Sequence, residues 1–104
     1  MSLLPLDGPS QHYTLSITDS AVTEVKHTTN GVLEDRKVVT LQSEDGKFRV
    51  YFGDGTSTPS VANVSDDGIL HWKYAKDSYE ATDQQPLYIL SESGSIDVHV
   101  VERA

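Results

Sequence analysis

The residues of this 104-residue chain with chemical potential are four histidines, sixteen carboxylates and many hydroxyls, without any cysteine. The histidines are His12, His27, His71 and His99. No two of them have the His-x-His spacing that sets two imidazoles on one face of a strand. Metal-binding β-sandwiches usually carry clustered histidines with a glutamate, and that pattern is missing. A nucleophilic triad needs serine, histidine and carboxylate within mutual reach. Serine is abundant, so its presence says little, and there is no Gly-x-Ser-x-Gly elbow. The paired carboxylates Glu34-Asp35 and Asp66-Asp67 could in principle do glycoside chemistry. They fall in expected turns, where acidic residues cap and solvate. These residues therefore read as non-enzymatic, with no catalytic, cofactor or metal residue to name.

Gly53-Asp54-Gly55 invites a phosphate-cradle or calcium reading. A phosphate loop needs a following helix and usually a lysine. Thr56-Ser57-Thr58-Pro59 supplies neither. Calcium needs six or more oxygens, and regularly spaced acidic ligands are absent. A glycine-dependent turn remains.

The aromatic residues are more suggestive. Tyr51, Trp72, Tyr74, Tyr79 and Tyr88 cluster from the middle of the chain onward. Such rings pack a core, fill a subunit interface or stack on sugars, and their spacing leaves these roles open. The interface or glycan candidates are Tyr51, Trp72, Tyr74 and Tyr79. Leu3 and Leu4 join them on an N-terminal arm.

Positioning these residues falls to strands. Phe48-Arg49-Val50-Tyr51-Phe52 alternates its side chains and ends at a glycine turn, as a half-buried strand does. Phe48, Val50 and Phe52 are expected to face the core, with Arg49 and Tyr51 outward. Similar runs are Tyr13–Thr18, Val22–Thr28, Lys37–Gln42, Ser60–Val64, Ile69–Tyr74, Leu87–Leu90 and Ser95–Val101. Asn30-Gly31 signals a hairpin. Residues 75–85 read as a helical turn or irregular loop. About eight short strands at this spacing predict an all-β fold, an antiparallel β-sandwich or jelly-roll-like barrel. Residues 1–10 read as an extended arm and residues 11–104 as a single β domain.

Bulk properties narrow the partners. The formal net charge is −8. Such a surface repels phosphate backbones and anionic lipid, so neither nucleic acid nor membrane is expected as a partner. No stretch approaches the about 20 apolar residues of a membrane span. The first residues lack the basic region of a signal peptide. A chain of this size buries a thin core, to which a partner subunit adds useful burial.

Phe48–Gly55, Trp72-Lys73-Tyr74, Ser78–Ala81, Gln85–Leu90 and Ile96-Asp97-Val98 together resemble small all-β structural proteins of tailed bacteriophages and prophages. The resemblance covers residues 46–103. It implies a non-enzymatic virion component, capsid decoration or tail-associated, found in the virion or in host cytoplasm during assembly. It also implies a homo-oligomer, trimer or dimer, contacting other virion proteins. A carbohydrate-binding or adhesion module with exposed aromatics is the alternative expectation.

Overall fold

The computed structural model describes residues 8–104. Among them, eight strands form two four-stranded antiparallel sheets. In chain order the elements are β1 (Ser10–Ile17), β2 (Thr23–Glu24), β3 (Val38–Gln42), β4 (Phe48–Phe52), α1 (Val61–Asp67), β5 (Ile69–His71), β6 (Asp77–Glu80), β7 (Leu87–Ser91) and β8 (Ile96–Arg103). One sheet runs β1-β8-β3-β6 and the other β2-β7-β4-β5. The all-β expectation is met. The edges β1 and β2 begin the two sheet orders, and β5 and β6 end them.

Side-chain alternation builds the core. Leu15 and Ile17 of β1, Val39 and Leu41 of β3, and Ile96, Val98 and Val100 of β8 come from the first sheet. Phe48, Val50, Leu87 and Ile89 meet them from the second. Every residue of β7 is buried, as the continuous run Leu87–Leu90 predicts. Phe52 departs from the expected pattern. It ends β4, is 39% exposed, and makes an edge-to-face contact with Tyr79, at 5.9 Å between centroids.

Several expected elements differ. Ser60–Val64 is not a strand, because Ser60 caps a helix. Its hydroxyl accepts from the Asn63 amide at 3.1 Å, and the Asn63 side chain accepts from the Ser60 amide at 3.2 Å. This short helix buries Val64 and lies against β4 and β7. Residues 77–80 form an edge strand on β3, with Tyr79 opposite Val39. An edge strand needs only one apolar face, which Tyr79 and Ala81 provide at a period of two. The expected strand 69–74 stops at His71, where residues 72–75 turn. Only Thr23–Glu24 of the expected strand 22–28 pairs as β2, although the Val25 amide still bonds the Leu87 carbonyl. Asn30-Gly31 joins no two strands. It closes a small loop through a His27–Gly31 bridge, with Gly31 at φ 74°.

The chain closes on itself beside its described N-terminus. The Gly8 amide bonds the Ala104 carbonyl, and the Ala104 amide bonds the Pro9 carbonyl. Leu3 and Leu4 lie outside the described residues.

Candidate functional site

Three places gather polar or aromatic side chains. The first is inside the fold. Arg36 and Glu102 form an ion pair of 2.9 Å with both side chains fully buried. The inward alternation of β8 runs through Ile96, Val98 and Val100 to Glu102. Arg36 Nε donates to the Ala81 carbonyl at 3.0 Å, and Nη2 donates to the carbonyls of Thr82 and Gln85 at 2.8 and 2.7 Å. Glu102 accepts from Gln11 Nε2 at 2.9 Å and from the Leu33 amide at 3.4 Å. The pair thus ties loop 81–85, segment 31–33 and β1 together. Its donors and acceptors are used in holding the chain. Tyr13 reaches the same region. Burial, then the Glu102 charge, pushes its phenol well above the usual range. Its hydroxyl faces Glu102 outside the geometry of a full hydrogen bond.

The second place surrounds His71, whose ring stacks on Phe48 with centroids 4.3 Å apart. Nε2 lies 2.8 Å from the Ala75 carbonyl, which can only accept, so Nε2 carries the proton. Nδ1 is then free to accept from the Tyr79 hydroxyl at 3.4 Å. Burial, then the Asp77 charge, raises the Tyr79 pKa. The Asp77 carboxylate is 3.7 Å from Nε2 and mostly exposed. His71 acts as a buried latch on the turn that follows it.

That turn is the third place. Trp72 and Tyr74 are 60% and 62% exposed, and Ile69 at the start of β5 is 51% exposed. Tyr74 adopts φ 69°, a left-handed backbone that costs a non-glycine residue about 1–2 kcal/mol. Its amide donates to the Ser43 carbonyl at 2.8 Å, and its carbonyl accepts from Gln42 Nε2 at 3.2 Å. Lys47 lies 4.9 Å over the Trp72 ring and Lys73 5.1 Å over the Tyr74 ring. The rings are therefore displayed from an anchored turn.

The remaining sequence candidates are dispersed. Tyr51 is half-buried beside a shallow cleft of about 160 Å³ lined by Asp54, Ser57, Thr58, Pro59 and Asn63. Tyr79 is half-buried and Tyr88 is buried. Asp54 accepts from the Thr56 amide at 2.9 Å, the Thr56 hydroxyl at 2.8 Å and the Ser57 amide at 3.3 Å. These bonds lower its pKa and hold the 53–57 turn. Among the described residues no group of three or more histidines and carboxylates is placed to hold a metal ion. No helix among them is long and apolar enough to cross a membrane.

No family model matches the chain, and no curated protein matches it either. A solved structure does. The cupin 2 domain of an XRE-family transcriptional regulator from Enterobacter cloacae superimposes with a TM-score of 0.59 at 13% identity. The match covers 98% of this chain and 90% of that one. The chain is cupin-like in fold. This comparison corrects the expected phage or prophage structural role, since the fold neighbour is a domain of a transcriptional regulator and not a virion component.

Sequence reasoning missed Arg36, Glu102 and the strained turn. The signal for Glu102 was present, because extending the β8 alternation by one step turns it inward. Arg36 offered none, since its partners lie 45 to 66 residues away.

Proposed function

We propose that this chain is a non-catalytic cupin-fold domain that acts by protein contact, with the Ile69–Ala75 turn as its contact surface. The observation that carries this reading is the anchored display of Trp72 and Tyr74, at a backbone strain that the core does not need. Large rigid aromatics with few rotamers are effective contact anchors. The inward polar residues support the same reading, because Arg36 and Glu102 bind the chain's own loops. The strongly acidic surface suits a protein partner better than nucleic acid. The fold neighbour sits in a transcriptional regulator, a precedent for a cupin domain that serves regulation.

The test compares the wild-type chain with the Trp72→Ala/Tyr74→Ala variant, after both are shown to melt alike. A partner held by the first and lost by the second supports the reading. Trp72 is the one tryptophan of the chain, so its emission reports the same event by a blue shift on titration. Equal capture by both forms counts against the reading. So does stoichiometric metal accompanied by turnover in the purified protein.

A further inference from the structure

The chain carries eight basic side chains against sixteen acidic ones, and the basic ones are not spent alike. Lys26 pairs with Glu24, Arg36 with Glu102 and Arg49 with Glu92. Lys47, Lys73 and Lys76 pair with no carboxylate among the described residues. All three are exposed, and all three belong to the turn after β5. Lys47 Nζ lies 4.9 Å over the Trp72 ring and Lys73 Nζ 5.1 Å over the Tyr74 ring. Lys76 follows Ala75, whose amide bonds the Trp72 carbonyl at 3.1 Å. An ammonium has three donors and a ring engages one side of it, so these charges stay open to a carboxylate. Residues 69–76 hold two of the lysines and no acidic residue. Carboxylates nearby are engaged elsewhere. Asp45 accepts from the Asp97 amide at 2.9 Å, Glu92 holds Arg49 at 3.4 Å, and Asp77 stands 3.7 Å from His71. Glu44 is exposed and forms an ion pair with none of the three lysines.

We infer that this turn receives an acidic segment of a partner protein, with apolar side chains interspersed among its carboxylates. The apolar side chains cover Ile69, Trp72 and Tyr74, and the carboxylates meet Lys47, Lys73 and Lys76. The inference rests on the contact role proposed for Trp72 and Tyr74 and adds the chemistry of the partner. Charge complementarity selects the occupant. A segment rich in Asp or Glu finds unpaired ammoniums at this turn and like charge over most of the rest of a chain of net charge −8. The turn is therefore the face on which such a segment can settle. A basic segment is drawn to the remaining surface and driven off the turn by the lysines. Duplex nucleic acid carries one charge per about 1.7 Å of its axis, so it overruns three lysines and meets the acidic surface beyond. A short peptide segment ends before that. The two kinds of contact depend on each other. Exposed ion pairs alone contribute little, and the rings exclude the water that weakens them. The lysines in turn fix which segment, and in which register, the rings accept.

The probe is a yeast-displayed library of random dodecapeptides, selected on the immobilised full chain. The enriched peptides are then synthesised with a fluorophore and titrated by anisotropy. Two variants that melt like the wild type accompany them, Lys47→Gln/Lys73→Gln/Lys76→Gln and Trp72→Ala/Tyr74→Ala. Enrichment of Asp and Glu beside Leu, Ile or Phe, with affinity falling at least tenfold in each variant, supports the proposal. Lys47→Arg/Lys73→Arg/Lys76→Arg keeps the charge and should bind within threefold of the wild type. Enriched peptides that lack acidic residues but still need Trp72 and Tyr74 overturn the acidic partner and leave the contact role standing. Peptides indifferent to both variants, or no enrichment at all, overturn both readings. Heparin and phosphatidylserine vesicles are the competing polyanions. Lysine-dependent binding of either, as tight as that of the peptides, assigns the turn to a polyanion and overturns the proposal. Sedimentation velocity covers the last alternative: a dimer that is lost in the lysine variant gives the turn to a second copy, and the proposal fails.

Discussion

Removing the Arg36 guanidinium should be the most damaging single change in the core that leaves its apolar packing intact. Arg36 and Glu102 are 1% and 0% exposed and 2.9 Å apart. In Arg36→Met the Glu102 carboxylate stays buried, keeping Gln11 and the Leu33 amide as donors. The carbonyls of Ala81, Thr82 and Gln85 lose the donor they share. Breaking a buried pair from one side costs about 3–5 kcal/mol. A domain of this length holds a total of roughly 5–15 kcal/mol. Each kcal/mol moves Tm by roughly 4–8 °C at this size, so the melt should fall by about 15 °C or more. Arg36→Lys keeps the charge but cannot span three carbonyls and a carboxylate, so its loss should be intermediate. Arg36→Met/Glu102→Leu removes both charges and should lose less than the two single changes added, with a coupling of about 1–3 kcal/mol. Urea unfolding by far-ultraviolet circular dichroism is the assay. Trp72 emission is a poor probe, because the ring is already 60% exposed in the fold. An Arg36→Met loss below about 1 kcal/mol, or strictly additive single and double variants, would refute the argument.

Tyr13 and Tyr79 have phenols held neutral by burial, with pKa values raised in the fold. The unfolded chain ionises its tyrosines near pH 10, so their contribution is complete below about that pH and is lost as pH rises above it. Alkaline melts should therefore fall beyond that point, and Tyr13→Phe should flatten the fall while costing nothing at neutral pH. Asp54 should titrate below ordinary carboxylates by carbon NMR, and Thr56→Val should move it back toward them. Tyr74→Gly should raise stability by about 1 kcal/mol in thermal melts, because it relieves the left-handed backbone and removes an exposed ring. Gly53→Ala should lower stability by about 1–3 kcal/mol in the same assay, since a Cβ there meets the Tyr88 ring at 2.6 Å.

The parts of the fold legible in the sequence are those where periodicity and burial coincide. Phe48 and Val50 alternate into the core from β4, and Ile96, Val98 and Val100 do so from β8. Where a side chain acts on the backbone, the pattern is silent or misleading. Ser60 and Asn63 made a helix of a stretch with strand-like composition, because two reciprocal bonds at its start outweigh one β-branched residue at each end. Residues 75–85 read as a helical turn or irregular loop, yet the sparse apolar pattern of Tyr79 and Ala81 is enough for an edge strand. Tyr74 gave no hint of a left-handed turn, since the Ser43 and Gln42 bonds that hold it come from a distant strand end. The rings of the candidate site, Trp72 and Tyr74, were legible by residue type, but their exposure and the turn that displays them were not. The cupin-like fold arrived without the histidine cluster by which sequence reasoning would find a metal centre, and Arg36–Glu102 joins positions 66 residues apart. What distinguishes this protein lies in contrasts between edges. β6 carries charge, β2 and β5 are short, and β1 is long and without a charged residue. Such a contrast exists only once the strand order is known, because a strand is an edge by virtue of its neighbours and not of its own residues.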